Sequence, residues 1–138
     1  MPKHVFIVGV DDVNLKRLTE MNDAEKYRFH ELTNLHESNE SDPPKSFEEL
    51  LSKARKKLEE SPHKPDAIIH FWDFPSSCLS PLLANELGLP SAPLKSVVAC
   101  EHKYWARVVQ REAVPDVTPE FQAICPFDDD PIKQLKMD

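Results

Sequence analysis

The chain has 138 residues, 40% of them apolar, which is enough for one ordinary domain and the start of another and excludes wholesale disorder. Acidic side chains outnumber basic ones, 24 against 17, for a formal charge of −7. A compact acidic protein repels phosphate backbones, so nucleic acid is not an expected partner, and any anion must find a local basic site.

His4–Val10 (HVFIVGV) is β-branched and almost continuously apolar, the pattern of a strand buried on both faces. Asp11 or Asp12 can cap a helix starting near Val13, which would turn Leu15, Leu18 and Met21 inward. Tyr27–Thr33 (YRFHELT) alternates aromatic and polar residues, so a second strand is expected nearer the sheet edge. Residues 34–44 are polar, close on Asp42-Pro43-Pro44, and read as a loop. Ser46-Phe47-Glu48-Glu49 fits a capping box, with a helix to about Glu60 whose inner face is Phe47, Leu50, Leu51, Ala54 and Leu58. Lys53, Arg55, Lys56 and Lys57 form its other face, expected to be solvated because acids interrupt it and no aromatics interleave.

Pro65-Asp66 opens AIIHFWDFP, predicted as a third buried strand running to Asp73. Ser80-Pro81 supplies an N-cap and a first-turn proline for a helix that buries Leu82, Leu83 and Leu87 and ends at Gly88 and Pro90. Three strands alternating with three helices predict an α/β fold, an open parallel sheet with helices on both faces. Right-handed crossovers narrow this to a Rossmann-like layer. A further helix follows Glu101, with Trp105, Val108 and Val109 on a face expected to be buried and Lys103, Arg107 and Arg111 on the opposite one. A proline exit and an extended segment from Thr118 come next, and Asp128-Asp129-Asp130 before Pro131 reads as a surface turn.

Gly9 and Gly88 are the only glycines, which excludes a Walker loop and a dinucleotide fingerprint. Cys78, Cys100 and Cys125 are odd in number and far apart, with no metal-ligand spacing, so neither a disulfide framework nor a zinc site is expected. Val5–Val10 is too short for a membrane span or a signal-peptide core, so a soluble cytoplasmic protein with no membrane partner is expected. His30 and His36 lack partner spacing for a metal, and Ser77 and Ser80 lack the flanking glycines of a nucleophile elbow. In open parallel sheets, ligands bind beyond the carboxyl ends of the strands. That rule singles out Gly9, Asp11 and Asp12 after the first strand, and Trp72, Asp73 and Phe74 after the third. Helix or turn capping is the plain role for these aspartates. They also resemble the acidic pocket of response-regulator receivers, although Lys95 and Lys103 fall in or near helices rather than at the end of a later strand. The Lys103, Arg107 and Arg111 stripe either faces solvent or awaits phosphate.

The stretch LANELGLPSAPLKSVVACEHKYWARVVQREAVPDVTPEF resembles the junction between the N-terminal and nucleotide-binding domains of ATP-grasp enzymes. The matching parts are Leu83–Leu87, Gly88-Leu89-Pro90, Leu94–Ala99, Glu101 with Lys103, Arg107, and Val114-Pro115 before Thr118-Pro119. The family's aspartate before the lysine is His102 here, and the glycine that often follows Leu-Pro is Ser91. The resemblance implies a pre-ATP-grasp Rossmann-like domain over 1–92, connecting helices over 93–115 and the start of an ATP-grasp domain over 116–138. It implies an ATP-dependent ligase that activates a small carboxylate substrate as an acyl phosphate, with ATP and Mg2+ as cofactors in the whole enzyme. Lys103 and Arg107 would approach the ATP phosphates, and Gly9, Asp11 and Asp73 would contribute to the acceptor-substrate pocket. Because no second phosphate lysine, lid or magnesium carboxylates follow Thr118, the chain is expected to be an N-terminal fragment or a truncated relative, inactive alone. A homodimer through an apolar patch around Trp105 is the expected consequence of the missing part.

Overall fold

The computed structural model describes residues 1–37, 45–125, 127, 128, 130, 133 and 135. Most of the expected 34–44 loop therefore lies outside the described residues, as do Asp129 and Pro131 of the expected acidic turn. The chain divides into two compact units, 1–94 and 95–138.

The first unit holds β1 (Lys3–Val10), α1 (Asp12–Glu20), a 3₁₀ turn (Ala24–Lys26), β2 (Tyr27–Asn34), α2 (Phe47–Glu60), β3 (Ala67–His70) and α3 (Ser76–Glu86). It is an α/β unit with a three-stranded parallel sheet in the order β2-β1-β3. β1 is central because its residues can be buried on both faces. Phe6 and Val8 point one way, into a cluster with Leu50, Leu51 and Ala54 of α2 and Leu79, Leu83 and Ala84 of α3. Val5 and Ile7 alternate to the opposite face and are equally buried. Truncating a leucine in such a cluster typically costs about 2–5 kcal/mol.

α2 starts as its sequence dictates. The Ser46 hydroxyl accepts the Glu49 N–H at 3.2 Å, and the Glu49 carboxylate accepts the Ser46 N–H at 2.7 Å. Leu50, Leu51 and Ala54 are buried, with Phe47 and Leu58 packed beside them. The cationic face is solvated and ion-paired: Lys53 with Glu37, Arg55 with Glu86, Lys56 with Glu60 and Lys57 with Glu31.

Four expectations for this unit need correction, the last of them at the end of α3. β3 ends at His70, not Asp73, so Phe71, Trp72 and Asp73 belong to the loop that follows. α3 begins at Ser76 rather than Ser80, and Pro81 sits inside it. Residues 75–81 are all buried, so packing carries the helix through a proline that local propensity would place in the first turn. The Ser80 hydroxyl is not a cap; it donates to the Ile68 carbonyl at 3.1 Å and ties α3 to β3. α1 buries none of its residues: Leu15 and Leu18 are half-buried and Met21 is exposed. At about two and a half turns, this helix has room for only a short apolar stripe.

The end of α3 follows its sequence. Gly88 takes φ +68°, the Leu89 N–H donates to the Ala84 carbonyl at 2.8 Å, and the Gly88 N–H donates to Asn85 at 3.1 Å. This pair of bonds is a Schellman closure. Leu83 is buried, Leu82 is half-buried, and Leu87 is exposed at the cap rather than packed inward.

The second unit comprises α4 (Leu94–Glu101, starting at the unit boundary), α5 (Lys103–Ala113) and a 3₁₀ turn (Pro115–Val117). The expected buried face of α5 is not buried: Trp105 is 50% and Val109 54% exposed, and Val108 is half-buried. No regular strand forms over 118–125. Among the described residues this unit has no sheet to cover an apolar helix face or to pair an extended backbone.

A cluster of imidazoles lies across β1 and β2. His4 Nδ1 and His30 Nε2 are 2.8 Å apart, and His63 stacks on His4 at 4.2 Å between centroids. Nearby, Asp66 accepts from the Lys3 ammonium and the His4 N–H. Burial, followed by the His4 and His63 rings, holds the His30 pKa below its ordinary value near 6.5. The unfolded chain therefore binds protons more readily at His30. The stability this supplies is present above about pH 6.5 and is lost as pH falls through the lowered folded value. Urea midpoints measured from about pH 7 to 5 should fall in the native chain, and His30→Gln should flatten the slope. Superimposable slopes would contradict this account.

Candidate functional site

The site begins where β1 runs out. Beyond Ile7 the register with β2 slips, and the Gly9 N–H leaves the ladder to donate to the Thr33 hydroxyl at 2.9 Å. Gly9 has φ +69°, and a Cβ there would lie 2.4 Å from Ser76 Oγ and 3.7 Å from Trp72 Cδ1. Glycine is thus required twice, for its backbone angle and for the approach of α3.

Two residues on, Asp11 caps α1. Its carboxylate accepts the Asn14 N–H at 2.8 Å, the Asn14 side-chain amide at 2.7 Å and the Trp72 indole N–H at 3.2 Å. The loops after β1 and β3 are therefore latched together. The Asn14 backbone N–H, helped by the Asn14 and Trp72 side chains, holds the Asp11 carboxyl below the usual carboxylate range, so it is charged at neutral pH.

The third wall is the first turn of α3. Ser76 and Ser77 are 0% and 4% exposed, and neither hydroxyl has a hydrogen-bond partner among the described residues. The 71–75 loop that precedes them presents Phe71, Trp72 and Phe74, each more than a third exposed, with Phe74 stacked on Phe47 at 5.9 Å. Of these rings, Trp72 is the one that reaches the Asp11 carboxylate.

Of the sequence-derived candidates, Gly9 and Asp11 meet through Trp72 and Ser76. Asp73 lies beside them in chain order; its carbonyl accepts the Ser77 N–H at 3.3 Å and its side chain is exposed. Among the described residues, Asp11, Asp12 and Asp73 form no group of three able to hold a metal. Lys103 and Arg107 belong to the other unit. Lys103 is the exposed first residue of α5, after His102, whose Nδ1 accepts the Trp105 N–H at 3.4 Å. The cationic stripe is not three equivalent charges: Arg107 donates to Gln110 and Arg111 lies 3.9 Å over the Phe121 ring. The approach of Ser76 to Gly9 and the Trp72–Asp11 bond have no signal in the sequence, although a Ser-Ser pair before an apolar run is a helix-start signal. An open cleft of about 750 Å³ near Leu58, His63, Pro65 and Leu87 lies by the start of β3, not at the carboxyl ends of the strands.

Comparison of the chain with protein-family models, with curated proteins and with solved structures gave no match.

Gly9→Ala should destabilise the chain by about 2–4 kcal/mol, combining left-handed strain with overpacking against α3. In a Ser76→Ala background the overpacking part should shrink, giving a measurable coupling in urea unfolding. Strict additivity of the two changes would contradict the contact.

Proposed function

We propose that the chain is part of an ATP-grasp carboxylate ligase, with the first unit as a Rossmann-like layer that receives the acceptor substrate. The observation that carries this reading is the strand order β2-β1-β3. β2 and β3 flank β1 on opposite sides, which makes the carboxyl ends of β1 and β3 the place where such sheets bind ligands. Gly9, Asp11 and the loop bearing Asp73 converge there. Right-handed crossovers would put α1 on the face opposite α2 and α3, in keeping with burial of Val5 and Ile7 as well as Phe6 and Val8. The Leu83–Phe121 sequence resemblance supplies the family.

Within this reading Lys103 and Arg107 approach the phosphates of ATP, which supplies the activation of the carboxylate. Lys103 suits that role: an exposed ammonium at the positive end of an eleven-residue helix. Arg107 keeps donors beyond the one used on Gln110. Magnesium does not fit in the same way, because the described residues gather no set of three acidic, histidine or cysteine ligands. The chain's part is then to orient phosphates and hold the acceptor, with the metal held elsewhere in the enzyme.

Titration of the ¹⁵N-labelled chain with ATP tests this directly. The expected result is amide shifts around Lys103 and Arg107 with a dissociation constant weaker than about 1 mM, or about 4 kcal/mol of binding. Lys103→Ala should abolish the shifts, and no ADP should form. Micromolar binding, turnover, or an unresponsive α5 would contradict the reading.

A further inference from the structure

Three imidazoles gather where β1 begins, and two of their nitrogens meet. His4 Nδ1 and His30 Nε2 are 2.8 Å apart, although 26 positions separate the residues in sequence. The parallel register sets His4 opposite Arg28 and Phe6 opposite His30, so the two histidines are diagonal neighbours on adjacent strands. His30 also stacks on the buried Phe6 at 4.6 Å, and His63 stacks on His4 at 4.2 Å. Both donors thus stand on strands and against other rings, the kind of support that holds a ligand in place before its ion arrives. The charges around them tolerate a cation. Asp66 accepts the Lys3 ammonium at 2.7 Å and the His4 backbone N–H at 2.8 Å, so the lysine next to His4 is already paired. Arg28 turns instead to the Tyr27 carbonyl at 2.8 Å and the Glu25 carbonyl at 3.4 Å. Lys64, beside His63 in sequence, is the opposing charge.

The distance between the nitrogens selects the class of ion. Two nitrogens bound at about 2.0–2.1 Å lie about 2.9 Å apart at a right angle and about 3.4 Å apart at the tetrahedral angle. The observed 2.8 Å matches the right angle of tetragonal Cu2+ or Ni2+ better than the wider angle of zinc. Of the first-row divalent ions, Cu2+ binds a given nitrogen site most tightly. Neutral imidazole is the ligating form, and burial with the neighbouring rings favours that form of His30. We propose that His4 Nδ1 and His30 Nε2 chelate Cu2+, with water in the remaining positions. In the free chain one ring donates its inner N–H to the other ring. In the complex that proton moves to the outer nitrogen of the same ring, and a swing of both rings turns the two inner lone pairs toward the ion. His63 is not a third ligand as it stands, because the described residues hold no metal-binding group of three. Its part is to pack against the His4 ring. Magnesium takes oxygen ligands, so this site is independent of the ligase chemistry proposed above.

The test titrates the full chain with Cu2+ and with Zn2+, in a buffer that binds neither, by calorimetry and by paramagnetic broadening of ¹⁵N spectra with Cu2+. One Cu2+ should bind per chain, at least tenfold more tightly than Zn2+. Substoichiometric Cu2+ should broaden the His4 and His30 amides before those of His36, His70 and His102. His4→Gln and His30→Gln should each weaken Cu2+ binding at least tenfold, and His63→Gln less than threefold. Cu2+ should also raise the thermal midpoint of the native chain but not of the His4→Gln or His30→Gln chain, a response that a plain hydrogen bond between the rings does not give. Free amino termini bind Cu2+ as well, so a chain acetylated at Met1 serves as the control and should bind equally. Loss of binding on acetylation would overturn the proposal, as would unchanged affinity in either of those two glutamine variants or Zn2+ binding as tightly as Cu2+. Where a variant does not fold, the native spectrum decides: broadening that begins away from β1 and β2 contradicts the site.

Discussion

A central strand buried on both faces must still release its chain at one end, and here that release depends on a missing side chain. At Gly9 the backbone turns left-handed, leaves the ladder for the Thr33 hydroxyl, and lets Ser76 close to a distance that any Cβ would forbid. Everything at the carboxyl end of the sheet follows from that approach. α3 can start directly against β1, the 71–75 loop is drawn over the gap, and Trp72 reaches the carboxylate that caps α1. A larger residue at position 9 would separate these parts before it affected the rest of the core.

The same arrangement gives the site its chemical character. A carboxylate kept ionised by helix and indole N–H groups is joined through Trp72 to the loop before α3, whose first turn buries two hydroxyls without a hydrogen-bond partner among the described residues. The cations that matter to the proposed ligase lie in the second unit, where local contacts already rank them. Arg111 is held on Phe121 and Arg107 on Gln110, while Lys103 follows the His102 cap in the open. His102 stands where the resemblance expects an aspartate, and its ring nitrogen performs the capping task for which aspartate is commonly used.

Local chemistry was the legible part of the sequence. The Ser46–Glu49 box, the Gly88 closure and the doubly buried run of β1 each depend on residues within a few positions of one another, and each formed as read. The boundary between β3 and α3 was misread because Ser80-Pro81 is a good local helix start. Burial of residues 75–81 outweighs that preference, and burial depends on strands distant in sequence. Amphipathic spacing in α5 pointed to a buried face, yet Trp105 and Val109 are exposed, because burial depends on a partner surface that helical periodicity does not supply. For the site, topology rules found Gly9, Asp11 and Asp73 by position. The same rule singled out Trp72, but its bond to Asp11 and the approach of Ser76 to Gly9 span more than sixty residues of sequence, with no periodic signal to announce them.

The central claim is that Gly9, Trp72 and the start of α3 share one point in space. A nuclear Overhauser measurement on the isotope-labelled chain tests it most directly. The structure places Trp72 Cδ1 3.7 Å from the position a Cβ would occupy on Gly9, so a strong cross-peak is predicted between a Gly9 Hα and the Trp72 Hδ1. If that peak is absent while the Gly9–Thr33 contact is observed, the sheet stands but the site built on its end does not.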